Sequence, residues 1–212
     1  MRRFREEDVP RDEERREDDG RQGGYSLLEM MATIVVLGVM ACAGIGAFQR
    51  IREQSASESL LRTLEGLLGE ARLRAVAGAT HVAVRFGERD GAVYARLYRD
   101  GDGDGVRADD VRRGTDRPLG PEVLLRQDQS RVAVPEDAAT DPLGNPTNPR
   151  DPVRFGRGDT LSFSPTATAT PGTLYLAEGD GRSGWAVRVA GLDGRVRLWR
   201  WKRGRWTEVQ AL

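Results

Sequence analysis

The chain has 212 residues, room for one folded domain beside a single long helix. Its 33 basic side chains balance 33 acidic ones. A lone cysteine, Cys42, excludes any disulfide within the chain, and a lone histidine, His81, argues against a His-built metal or catalytic site.

The even balance is not evenly distributed. Residues 1–24 hold seven arginines and nine acids, a net of −2, which leaves +2 for the remainder. This stretch has no hydrophobic period and almost no apolar content, so it reads as a solvated leader.

From Met30 to Phe48, 19 residues carry no charge. As a helix they extend roughly 28 Å, close to the ~30 Å hydrocarbon core of a bilayer, and Tyr25 to Leu28 complete the span. The sequence therefore predicts a transmembrane helix over residues 25–48. Glu29 is the one charge in it, five residues beyond the Gly23-Gly24 pair. A carboxylate in such a run costs on the order of 2.5–3.5 kcal/mol, less near the helix end, and so demands a partner.

Three readings fit an apolar segment of this kind. It is a prepilin-type signal, an ordinary secretory or lipoprotein signal, or a plain anchor. Ala41-Cys42-Ala43 fits a signal-peptidase pattern, and Val39-Met40-Ala41-Cys42 loosely resembles a lipoprotein signal. The glycine pair and the acid inside the apolar start favour the first reading.

The run from Gly23 to Phe48 resembles the class III signal of type IV pilins and type II secretion pseudopilins. The resemblance implies that a prepilin peptidase cuts between Gly24 and Tyr25 and that the new amine of Tyr25 is methylated. Glu29 then matches the glutamate of that family. Glycine at the cut lets the backbone approach a protease closely. The freed amine stays at the membrane, where Glu29 of a neighbouring subunit could neutralise it. A second role for Glu29 is to favour the N-terminus of its own helix through the macrodipole. Tyr25 stands where the family usually has Phe, and Ser26 where Thr is frequent. The leader is unusually long and acidic.

Beyond Phe48 the pattern becomes amphipathic over residues 49–78. Leu60, Leu64, Leu67, Leu68, Ala71 and Ala75 recur at helical spacing among charged residues. One helix from Ser26 to Ala77 is expected, ended by Gly78 as a C-terminal cap. Gly44 and Gly46 mark either a local bend or close helix packing.

From Thr80 the period falls to two. Residues 81–86 and 92–98 flank Arg89-Asp90-Gly91, a hairpin signal. Further strands are expected over 122–126, 131–134, 160–163, 173–177, 185–190, 195–201 and 205–209. Five prolines between Pro135 and Pro152 predict a long loop rather than core. The fold class expected is α+β: a long N-terminal helix, its first half transmembrane, followed over 79–212 by a β-rich domain of two packed antiparallel sheets.

The order of weaker motifs narrows the resemblance. Residues 71–78 before an alternating strand, the acidic turn over 98–105, Leu161-Ser162-Phe163-Ser164-Pro165, Pro171-Gly172-Thr173-Leu174 and Gly194-Arg195-Val196-Arg197 together look like the GspH/FimT family. Its members are H-type minor pseudopilins of type II secretion and related minor pilins. The resemblance implies a single-pass protein of the bacterial inner membrane with its C-terminal domain in the periplasm. Implied partners are prepilin peptidase, other major and minor pseudopilins and the secretion assembly platform. The alternatives are a minor pilin of a type IV pilus used for adhesion or DNA uptake, and an envelope lipoprotein-like binding module.

Two further clusters invite a ligand. Asp100, Asp102, Asp104 and Gly105 match the first half of a calcium loop, but Val111 holds the twelfth place where a glutamate is needed. A solvated Asp/Gly turn is the other reading. Near the C-terminus, Arg195, Arg197, Arg200, Lys202, Arg203 and Arg205 interleave with Trp199, Trp201 and Trp206. Basic groups with indoles suit phosphates and bases, and Gly194 to Arg197 fits the Gly-Arg-x-Arg element that some family members use for DNA. Alternation on an exposed strand explains the same residues. No nucleophile with a base, no phosphate loop and no complete metal-ligand set appears. No cofactor is expected beyond the candidate calcium, and the chain reads as the substrate of a peptidase rather than as an enzyme.

Overall fold

A computed structural model of the chain describes residues 26–128, 130–156 and 158–209; the side chains of 42–54 lie outside the description. The leader and the Gly24–Tyr25 bond therefore fall outside the described residues. Two compact units divide the chain, residues 1–45 and 46–212.

Helix α1 runs from Leu27 to Ala77. Ser26 starts it: its carbonyl accepts from the N–H groups of Glu29 (2.9 Å) and Met30 (3.1 Å), and its hydroxyl from that of Leu28 (3.3 Å). In the first unit the described part of this helix exposes Leu27, Leu28, Met30, Met31, Ile34, Val35 and other apolar side chains around its circumference. Among the described residues no helix is long and apolar enough to cross a membrane. The span expected over 25–48 lies partly outside them.

Within the second unit the rest of α1 is amphipathic as its spacing predicts. Leu60, Leu64, Leu68, Ala71 and Ala75 are buried, while Arg62 and Arg74 are exposed. The cap differs from expectation. Ala79, not Gly78, takes the left-handed conformation (φ 46°). The Thr80 N–H donates to the Ala75 carbonyl (3.2 Å) and the Ala79 N–H to that of Val76 (3.3 Å), a Schellman closure.

Strands β1 (Val82–Arg89) and β2 (Ala92–Arg99) form the expected hairpin, with Asp90 and Gly91 both at positive φ as a type I′ turn requires. A short helix α2 (Ala108–Arg113) follows, with acids in its first turn, arginines in its last, and left-handed Gly114 beyond. Six residues are too few to show a helical period along the chain. The chain continues through β3 (Arg117–Pro118), β4 (Val123–Leu124), β5 (Arg126–Gln127), β6 (Ser130–Val132), β7 (Val153–Phe155), β8 (Thr160–Phe163), β9 (Gly172–Ala177), β10 (Gly184–Val189), β11 (Val196–Lys202) and β12 (Arg205–Val209).

Among the described residues all strand pairings are antiparallel and make two sheets. One has the order β3-β2-β1-β8, with β4 also on β2. The other has the order β12-β11-β10-β9-β6-β5, with β7 also on β9. The α+β class with two antiparallel sheets is thus as expected. One core joins the leucine face of α1 to inward residues of both sheets, including Val82, Val84, Phe163, Leu174 and Val187.

The proline-rich stretch at 135–152 corrects one expectation. It is a loop, but it also carries core: Ala138 and Asp141 are buried. Strands β6 and β7 share the same edge of β9, and the loop between them folds over the outer face of that sheet. There Val134 and Ala138 pack with Tyr175, Ala186 and Trp201, flanked by Trp199 and Trp206. The Trp206 Nε1–H closes the cover by donating to the Thr140 carbonyl at 2.7 Å.

Candidate functional site

Glu29 lies in the first turn of α1, three residues after the capping Ser26, and is exposed. Among the described residues no side chain pairs with its carboxylate. The neighbouring surface is apolar, with Leu28 77% and Ile34 69% exposed. A carboxylate at a helix N-terminus gains from the macrodipole, so Glu29 suits its own helix. That local gain does not cover the surrounding apolar surface, which nothing among the described residues buries. The arrangement fits a helix that meets lipid or other helices, with one charge awaiting a cation.

The structure brings the acidic turn together. One carboxylate oxygen from each of Asp100, Asp102 and Asp104 lies within 4.8 Å of the others. Asp100, however, is buried and already engaged. Its Oδ1 accepts from the N–H groups of Asp102 (3.1 Å) and Gly103 (2.8 Å), and its Oδ2 from that of Gly105 (2.9 Å). His81 Nδ1 stands 3.4 Å from the same Oδ2. Burial acts to raise the Asp100 carboxyl, yet the three amide donors outweigh it and hold the group below the ordinary range. Asp116 closes the base of the loop, accepting from the N–H groups of Gly101 (3.1 Å) and Arg107 (2.9 Å). Asp104 pairs with Arg107. These contacts account for Asp100, Asp104 and Asp116 as the internal frame of a tight turn, with Asp102 exposed at its rim.

The basic and aromatic run divides. Arg195 and Arg197 are exposed, with Arg195 Nε 3.1 Å from Asp193 and Arg197 Nη1 3.8 Å from Glu208. Together with Gly194 and Val196 they border a groove of about 340 Å³ whose other wall is Glu65, Leu68, Gly69 and Arg72 of α1. Trp201 is buried, and Trp199 and Trp206 are half-buried beneath the proline-rich loop. The indoles expected to stack on bases thus belong largely to the packing of the sheet. Arg200 points to the opposite face and is tied to Glu178.

Sequence reasoning missed the cluster around Glu178. This buried carboxylate receives two bonds from Arg200, one from the Ser57 hydroxyl of α1 and a longer one from the Trp185 indole. A signal for it existed in the charged Glu178 ending an apolar strand, but its partners lie 22 and 121 residues away.

Residues 19–43 match the family model described as the prokaryotic N-terminal methylation motif. No curated protein and no solved structure matches the chain. The motif supports a type IV pilin-like protein, processed by prepilin peptidase and assembled with other pilin-like subunits, and it is typical of pilins anchored in the inner membrane. The matched residues include the Gly24–Tyr25 bond and Glu29.

Proposed function

We propose that the chain is a minor pseudopilin of the type II protein secretion system, of the H type. Prepilin peptidase removes residues 1–24, and Tyr25 becomes the methylated N-terminus. The apolar first part of α1 holds the subunit in the inner membrane, with the β-rich domain in the periplasm. The subunit then leaves the bilayer for a short periplasmic filament, in which neighbouring helices replace lipid around the exposed apolar side chains. Glu29 there meets the amine of an adjacent processed subunit. The observation that carries this reading is the methylation motif over 19–43 leading into a helix whose described apolar surface is unburied. The chain is a structural subunit and not an enzyme.

A pilus subunit for adhesion or DNA uptake is the rival reading. The placement of the indoles in the sheet's own packing weighs against the DNA form of it. Deleting the gene separates secretion from pilus assembly. Loss of protein export with surface pili retained supports the proposal; loss of pili with export intact overturns it.

A further inference from the structure

The outer face of the second sheet carries a row of residues that the pilin-like reading does not use. Arg154 on β7 pairs in register with Thr173 on β9, and Thr173 pairs with Arg188 on β10. Directly opposed residues share a face of the sheet at roughly 5 Å, so Thr173 stands between two guanidinium-bearing side chains. Tyr175, two residues further along β9, lies on the same face. These four border a cleft of about 220 Å³ that Asp141 and Asn145 of the proline-rich loop complete.

Three observations describe what the cleft lacks. Among the described residues neither arginine makes a short ion pair, and Arg154 has only a loose one with Asp151. Arg188 donates to the Thr173 hydroxyl at 3.2 Å, and Arg154 reaches Asp151 only at 3.9 Å and the Pro146 carbonyl at 3.5 Å. Tyr175 is wholly buried, and its hydroxyl makes no hydrogen bond of good geometry among the described residues, with the Arg154 guanidinium its nearest candidate donor. A buried polar group in that state costs stability until an acceptor or donor arrives. Asp141, the one acid at the rim, is occupied. Its Oδ1 accepts from the N–H groups of Leu143 and Asn145, both at 2.8 Å, and its Oδ2 from the Asn145 amide at 3.1 Å.

The electrostatics agree with this placement. Burial, then the Asp141 charge, pushes the Tyr175 phenol up, while Arg154 and Arg188 pull against them. The hydroxyl thus sits among all three groups. Of the residues lining the cleft two are cations and one, the already hydrogen-bonded Asp141, is a carboxylate; Asp151 offsets part of that excess from beside Arg154. The cleft is smaller than the ~300–1,000 Å³ of sites for drug-sized ligands, which suits one acid group.

We propose that this cleft binds a compact oxyanion, a carboxylate or a phosphate, held between Arg154 and Arg188 with the Tyr175 hydroxyl as a further donor. Arginine's fork geometry suits both anions. The site goes beyond the filament role and does not depend on it.

The test uses the full chain in detergent micelles, titrated calorimetrically with sodium phosphate and, separately, sodium acetate, at ionic strength held constant with chloride. Saturable binding of either anion, or of both, is expected, and the pair shows whether the site takes a tetrahedral or a planar group. Arg188→Gln should weaken it roughly tenfold, the scale of one charge-assisted hydrogen bond. Tyr175→Phe should weaken it by about threefold or more while changing the melting temperature little, because the hydroxyl has no well-formed internal hydrogen bond to lose. Failure of both anions to saturate at tens of millimolar, or wild-type affinity in both variants, overturns the site.

Discussion

Glu178 and Arg200 form a two-pronged ion pair, Oε1 to Nη1 at 2.6 Å and Oε2 to Nη2 at 2.8 Å, and Ser57 of α1 donates to the same Oε1 at 2.6 Å. The guanidinium also lies 4.4 Å from the centre of the Trp185 ring. Both charges are largely withdrawn from water, with side-chain exposures of 7% and 17%. This cluster joins the buried face of α1 to the second sheet through a polar contact of fixed geometry. Leucines alone would let the helix slide; a bidentate acceptor with a serine above it fixes the register.

The first prediction follows from burial. Glu178→Ala strands Arg200 without its partner and should destabilise the domain by about 3 kcal/mol or more. Ser57→Ala removes one hydrogen bond and should cost about 1 kcal/mol. Denaturant midpoints of the variants measure both, and equal effects would contradict the hierarchy.

Acid should act mainly through three aspartates. Burial tends to raise the carboxyls of Asp100, Asp141 and Asp180, but hydrogen bonds from neighbouring amides and side chains hold all three below the ordinary value. A folded-state pKa below the unfolded one contributes stability at higher pH that is lost as pH falls through the folded value. Glu65 and Asp159 are raised by burial and act in the opposite sense, so their protonation relieves a cost. Stability should therefore hold or rise slightly as pH falls toward about 5 and drop steeply below about 4. Thermal melts across that range test the sign, and a steady loss beginning near neutrality would contradict it.

Gly184 shows how tightly the proline-rich loop seats on the sheet. A Cβ there would lie 2.2 Å from the Leu176 carbonyl oxygen and 2.7 Å from Pro135 Cγ. Gly184→Ala should cost about 1–3 kcal/mol. Gly87→Ala, with open space around its position, should change stability by no more than about 0.5 kcal/mol. Equal denaturant midpoints for the two variants would mean that the loop does not press on β10.

Much of this architecture was legible along the chain. The leucine spacing of α1 and the alternation around Asp90-Gly91 report local periods, and both elements appear where those periods place them. Elements of two or three residues such as β3 and β7 are too short to carry a period. They exist because a longer strand offers them an edge. The proline-rich loop misled for a related reason: its composition reports its backbone, whereas the burial of Ala138 and Asp141 depends on a sheet distant in sequence. Tyr175, Arg154 and Arg188 meet only through strand register, which no single segment encodes. The glycine pair and Glu29 were readable because that signal is local to the N-terminus.

The acidic turn yields a prediction of its own. Because the amides of Asp102, Gly103 and Gly105 already hold Asp100, millimolar calcium should leave the melting temperature unchanged. Asp100→Asn should lower it with or without calcium. A calcium-dependent rise in the wild type would assign the turn to the ion instead, since a ligand of the folded state stabilises by mass action.

Maturation as a prepilin leaves a defined mass and N-terminus, which intact mass spectrometry of the protein recovered from its native membrane reads out. A chain that begins at Tyr25 and carries one methyl group on its amine is the expected result. A retained leader, or a chain that begins at an acylated Cys42, would contradict it.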